Sequence, residues 1–185
     1  MEKAPVQKIA RVLNLLVLAA LICNIIALYL VPVAVEVGSA ALLEERHWAL
    51  AYLLGSWKAW ALVGWWRVFD AYQMVLTVFL LFAGVNTAVI LWQARRVLKT
   101  VLAGTPFSPE NAVSLRRAAV CCFLIAAAAL VRVIFSICYY RSPLPLATYN
   151  ALFVPMFAMG GLLCLVMSAL FRQAAEMKAE NDLTI

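Results

Sequence analysis

The sequence predicts an all-α polytopic membrane protein: a four-transmembrane-helix bundle with a tryptophan-rich outer loop containing interfacial helix and a cytoplasmic helical hairpin between helices 2 and 3. Three observations predict it. The 185 residues are 66% apolar, against about 45–50% in soluble domains, and mean hydropathy is +0.95. The apolar residues fall into four long runs, and a hydrocarbon core of roughly 30 Å takes about 20 residues of helix to cross. The basic residues gather at the ends of those runs. One membrane domain over residues 1–185 uses the whole chain and leaves no length for a separate soluble domain. A net charge of +6 would suggest nucleic acid in a soluble protein. Here the charge flanks membrane spans, so it reads as orientation, and no direct nucleic-acid binding is expected.

The first span covers residues 12–35, after Lys3, Lys8 and Arg11 and before Glu36. Its apolar run is too long for a signal peptide and lacks a clear small-residue exit, so a retained span is expected. Residues 36–68 carry Trp48, Trp57, Trp60, Trp65 and Trp66 in an apolar setting. A fifth span there would hold Lys58 in mid-bilayer, at a cost of about 2.5–3.5 kcal/mol. Tryptophan prefers the membrane interface, so an outer loop with helix in the headgroup layer is expected. A ligand-binding cap is the sharper alternative. The second span covers residues 69–93, the third 118–140 and the fourth 149–171, followed by a tail over 172–185.

The positive-inside rule orients these spans. With both termini inside, the cytoplasmic segments hold Lys3, Lys8, Arg11, Arg95, Arg96, Lys99, Arg116, Arg117, Arg172 and Lys178, while the other side holds only Arg46, Lys58, Arg67 and Arg141. The expected location is a bacterial cytoplasmic (inner) membrane, multi-pass, with N and C termini cytoplasmic.

The stretch GTPFSPENAVSLRR, residues 104–117, interrupts the apolar chain. Gly104 suits the left-handed position just past a helix end. Ser108 suits a helix N-cap and Pro109 the first helical position, with Glu110 favourable in the first turn of the dipole. Arg96 and Arg116 lie equally far in sequence from Pro106, as do Arg95 and Arg117. Arg95, Arg96, Lys99, Arg116 and Arg117 therefore form a collar at the level of the lipid phosphates. The hairpin tip, residues 100–114, stands beyond the collar by roughly 10–15 Å at 1.5 Å per residue. It offers Val101, Leu102, Phe107 and Val113 and one charge, Glu110. The plainer reading is a well-capped loop and a frayed tail. Tip and tail also carry apolar side chains on one side of the membrane and could cover each other.

The segments PFSPENAVSLRRAA and EMKAENDLTI resemble a group of bacterial four-span proteins, the unknown-function family 2975. The resemblance covers nearly the whole chain and implies no activity. Its members are often encoded beside a small Cro/C1-type helix-turn-helix regulator, which implies such a regulator as cytoplasmic partner. The matching residues Phe107, Ser108, Pro109, Glu110, Asn111, Leu115, Asp182, Leu183, Thr184 and Ile185 then form the expected partner-binding set.

Inside the membrane, Arg132 is the sharpest signal, because a charge at that depth is expensive and often functional. Asn24 lies at similar depth in the first span, and Glu36 and Asp70 sit at span ends within snorkelling reach. An Arg132 paired with one of these carboxylates is the plainer reading. An anion or headgroup site, or a small transporter or lipid-binding bundle centred on Arg132, is the alternative. Transport usually needs a mid-membrane acid or a broken helix, and Pro155 is the clearest candidate for a break. Asn14, Asn86 and Asn150 are expected to make interhelix hydrogen bonds. The rows Gly160, Cys164, Ser168 and Gly84, Ala88 allow close helix contact and would also admit a homodimer. Cys23, Cys121, Cys122, Cys138 and Cys164 form no C-x-x-C and read as small apolar residues. His47 is the only histidine, so no His-rich metal or haem cluster is expected, and with no visible nucleophile–base–orienter set no cofactor and no enzymatic activity are expected. Membrane lipids are the remaining expected partners.

Overall fold

The computed structural model describes residues 5–40 and 71–182. Four long helices make up almost all of it: α1 (Pro5–Ala40), α2 (Ala71–Leu102), α3 (Pro109–Tyr140) and α4 (Tyr149–Asp182), with one 3-10 turn at Leu144–Ala147 between α3 and α4. Each helix is long and apolar enough to cross a membrane. The all-helical, four-span architecture is therefore as the hydropathy predicts. Helix α1 runs through Ala40, into the segment expected to open the outer loop. The rest of that loop, with its tryptophans and His47, and Asp70 lie outside the described residues.

The helices pack in chain order, α1 on α2, α2 on α3, α3 on α4, and among the described residues no close backbone approach joins α1 to α4. Helix α3 is central. In its most apolar stretch 33% of residues are buried, against 6% in α1 and in α4. Its buried side chains are small, namely Ala112, Ala118, Ala119, Cys122, Ala126 and Ala129, with Ile125 among them. Without a hydrophobic drive between helices in lipid, small side chains gain contact by letting backbones approach. The outward faces keep large apolar groups such as Leu15, Val78, Val131 and Leu163 exposed, as a lipid-facing surface requires.

Glycine sharpens two of these contacts. A methyl group at Gly84 would lie 2.6 Å from the Leu28 side chain of α1, so Gly84 serves the close contact its row suggests. On α4 the close contact is at Gly161, whose added Cβ would meet the Phe123 ring at 3.0 Å, whereas Gly160 faces open space. The expected row is thus displaced by one residue at its start.

Two other expectations are corrected. Asn86 donates to the Phe82 carbonyl of its own helix at 2.9 Å rather than across helices, because the carbonyl one turn back is always within reach. Thr77 and Ser136 make the same backward bond, to Gln73 and Arg132. Pro155 lies inside α4 without ending it, so the structure holds no broken span at that position.

Candidate functional site

Two ends of the bundle carry side chains with unusual surroundings. The first is the α2–α3 turn. Gly104 adopts φ 81°, and the Thr105 N–H bonds to the Thr100 carbonyl at 3.0 Å while the Gly104 N–H bonds to Val101 at 3.2 Å. That pair is the 6→1 and 5→2 pattern by which a left-handed glycine closes a helix. Helix α3 then starts with Ser108 as N-cap and Pro109 inside the first turn, as expected. The Ser108 side chain makes no capping bond, and its hydroxyl oxygen is buried without a partner. Its place is taken by Asn111, whose Nδ2 donates at 2.6 Å both to the Pro106 carbonyl and to Thr100 Oγ1. Asn111 is 1% exposed. It therefore clips the turn to the end of α2 and cannot belong to a docking surface, contrary to expectation.

The fourth helix joins this clip. Ser168 Oγ donates to the Ala112 carbonyl at 2.7 Å, and the Phe107 ring rests 5.7 Å from the Phe171 ring. Phe107 remains 52% exposed. Pro109 and Glu110 are exposed, and Ser108 and Leu115 are half-buried. In the collar, Arg96, Lys99, Arg116 and Arg117 are exposed and Arg95 is half-buried. Asp182 ends α4. Leu183, Thr184 and Ile185 lie outside the described residues.

The second site surrounds Arg132, toward the opposite end. Its guanidinium carbon sits 4.8 Å from the centre of the Phe79 ring, and among the described residues its side chain has no hydrogen bond or ion pair. Three cavities meet at it. One of about 370 Å³ lies within the bundle and is lined from all four helices, with Asn24, Thr87, Arg132 and Asn150 as its polar members. It occupies the space that α1 and α4 leave between them. A second, of about 440 Å³, opens beside the α3–α4 connection and is lined by Tyr72, Ser136, Tyr140, Ser142, Thr148 and Asn150 with Arg132. The third, of about 460 Å³, is an apolar groove between α2 and α3, bounded by Met74, Val78, Phe82, Ala128 and Val131 and ending at Arg132.

The expected companions of Arg132 divide here. Asn24 shares its cavity, with a buried side-chain carbonyl that has no partner. A buried acceptor without a donor is uncommon enough to need explaining. Asn150 also joins the site, which sequence spacing alone did not suggest. The Glu36 and Asp70 side chains lie outside the described residues. The α3–α4 connection that forms the mouth is tight. Arg141 ends α3 in the left-handed region at φ 49°, Ser142 Oγ accepts the Leu144 N–H at 3.3 Å, and Thr148 Oγ1 donates to the Pro145 carbonyl at 2.7 Å.

Cys122 of α3 and Cys164 of α4 lie near each other across their seam, a proximity invisible in the sequence because it depends on helix rotation. Among the described residues no three His, Cys, Asp or Glu side chains gather as a metal site would need.

Four long apolar helices with exposed apolar outer faces define an all-helical, multi-pass membrane protein. The chain belongs to the family described as Protein of unknown function (DUF2975), which matches residues 45–185. No curated protein and no solved structure matches it.

Proposed function

We propose that this chain is a non-enzymatic, membrane-anchored binding protein of a bacterial inner membrane. Its α2–α3 tip and the C-terminal end of α4 present one docking platform to a soluble partner. The observation that supports this reading is Phe107. A large apolar ring stands half exposed at the end of a turn held by Asn111, with Phe171 of α4 behind it. A rigid exposed aromatic anchor costs little ordering on binding. The basic residues Arg95, Arg96, Lys99, Arg116 and Arg117 support a cytoplasmic position for this end and both termini under the positive-inside rule, with these side chains beside lipid phosphates. The partner class is the one the family resemblance implies, a small helix-turn-helix regulator held at the membrane.

The test uses the full-length protein in the bacterial membrane with photo-reactive residues at Phe107 and Ile185. Capture of one small DNA-binding protein at both positions is expected. Phe107→Asp, read from the probe at Ile185, and truncation after Lys178, read from the probe at Phe107, should each cut that capture by about tenfold or more, as loss of a hot-spot residue does. Phe107→Asp should lower the unfolding midpoint only slightly, through loss of the Phe171 ring contact, and the truncation should leave it unchanged, since neither removes an Asn111 bond. Undiminished capture by both variants overturns the reading.

A further inference from the structure

We propose that Arg132 holds the phosphate of an anionic phospholipid whose chain lies in the α2–α3 groove. This site is separate from the tip and independent of what the tip binds. Four observations point to it.

The first is charge. Arg132 lies within a membrane-spanning helix, where an unneutralised cation is expensive and is normally paired. Its contact with Phe79 is a ring-face attraction. That contact spends none of the five N–H donors of a guanidinium.

The second is the polarity gradient. The chamber beside the α3–α4 connection sets polar groups of Tyr72, Ser142 and Asn150 among the apolar side chains of Val133, Leu144 and Pro145. The groove on the other side of Arg132 is walled by Met74, Val75, Val78, Phe82, Ala128 and Val131. Along α2 and α3 the chamber lies at the helix ends and the groove runs inward from them. A lipid of the adjoining leaflet has the same sequence of chemistry, head at the interface and chain toward the midplane. A free phosphate would use the chamber and leave the groove without a role.

The third is access. Val78 is 66% and Val131 65% exposed, so the groove opens sideways to the surrounding acyl chains. The fourth is fit to the donor. A planar guanidinium makes two parallel bonds to phosphate oxygens, and the Ser142 hydroxyl, which only accepts within the connection, and the Asn150 amide can add donors to the head.

The experiment reconstitutes the full chain in phosphatidylcholine bilayers containing a minor fraction of phosphatidylglycerol. The protein is then extracted in mild detergent, and the retained lipid is counted by native mass spectrometry. Wild type should retain phosphatidylglycerol in preference to phosphatidylcholine. Arg132→Gln should retain it at least about tenfold less, the ratio set by loss of a charge-assisted bond. Val78→Trp fills the groove from an exposed position without disturbing the bundle, and should reduce retention severalfold with the charge in place. The collar variant Arg116→Gln/Arg117→Gln can lose lipid held at its own level, but should keep the fraction that Val78→Trp removes. Equal retention by Arg132→Gln and wild type overturns the proposal, and is the result expected if one of the chain's own carboxylates neutralises Arg132. Displacement of the lipid by millimolar inorganic phosphate, with Val78→Trp silent, overturns it in favour of a soluble anion.

Discussion

The two ends of the bundle solve opposite problems. At the α2–α3 turn the hydrogen-bonded side chains close the structure. Asn111 binds the chain on both sides of the turn, Ser168 ties α4 to α3, and Phe107 rests on Phe171. Around Arg132 the polar groups line space instead, and Asn24, which lines one of the cavities, keeps a buried acceptor without a partner. The same four helices thus present a rigid surface at one end and a hollow, charged interior toward the other. The difference suits binding by display at the first and binding by enclosure at the second.

That contrast can be broken in graded steps. The largest effect is expected from Asn111→Leu. It leaves the Pro106 carbonyl and Thr100 hydroxyl without their donor, at about 1–3 kcal/mol for a buried unsatisfied group. The unfolding midpoint in detergent should fall, while lipid retention at Arg132 should not change. Coupled loss of both would show that the ends are one cooperative unit. Ser168→Ala removes the single side-chain tie between α4 and Ala112, with an expected cost of about 1 kcal/mol by the same measurement. Because the Phe171 shelf depends on where α4 sits, the variant should also weaken partner capture at Phe107. The smallest effect is expected at Arg141. A left-handed conformation costs a non-glycine residue about 1–2 kcal/mol, and glycine returns part of that as chain entropy. Arg141→Gly should therefore raise the midpoint slightly, by less than about 1 kcal/mol, and leave Phe107 capture untouched. A fall would mean that the Arg141 side chain has a role at the mouth of the cavity.

Features governed by neighbours in the chain were legible beforehand. The left-handed Gly104, the start of α3 at Pro109 and the four spans follow from local backbone preference and summed hydropathy, and the structure shows all of them. Ser108 shows where local rules stop. Its N-cap backbone is as expected, but the bonds that hold the turn come from Asn111, which needs Thr100 at the end of α2 to be within reach. Asn86 errs in the same direction, since an interhelix partner was expected and its own helix supplied one. Arg132 was legible as a charge in the wrong solvent. Its surroundings were not, because Asn150 and the gap between α1 and α4 depend on how each helix is rotated.

By itself the sequence determined the class: four helices in a bilayer, their ends marked by arginine and lysine, joined by one sharply capped turn. Those properties add residue by residue along the chain, so no knowledge of packing is needed to read them. Only the tertiary structure decided that α3 is the central helix, that Asn111 is a buried clip rather than a contact, and that three cavities converge on Arg132. Each depends on which side of a helix meets which neighbour. That is settled by the fit of small residues such as Gly84, Ala119 and Gly161 against particular partners, which hydropathy does not encode.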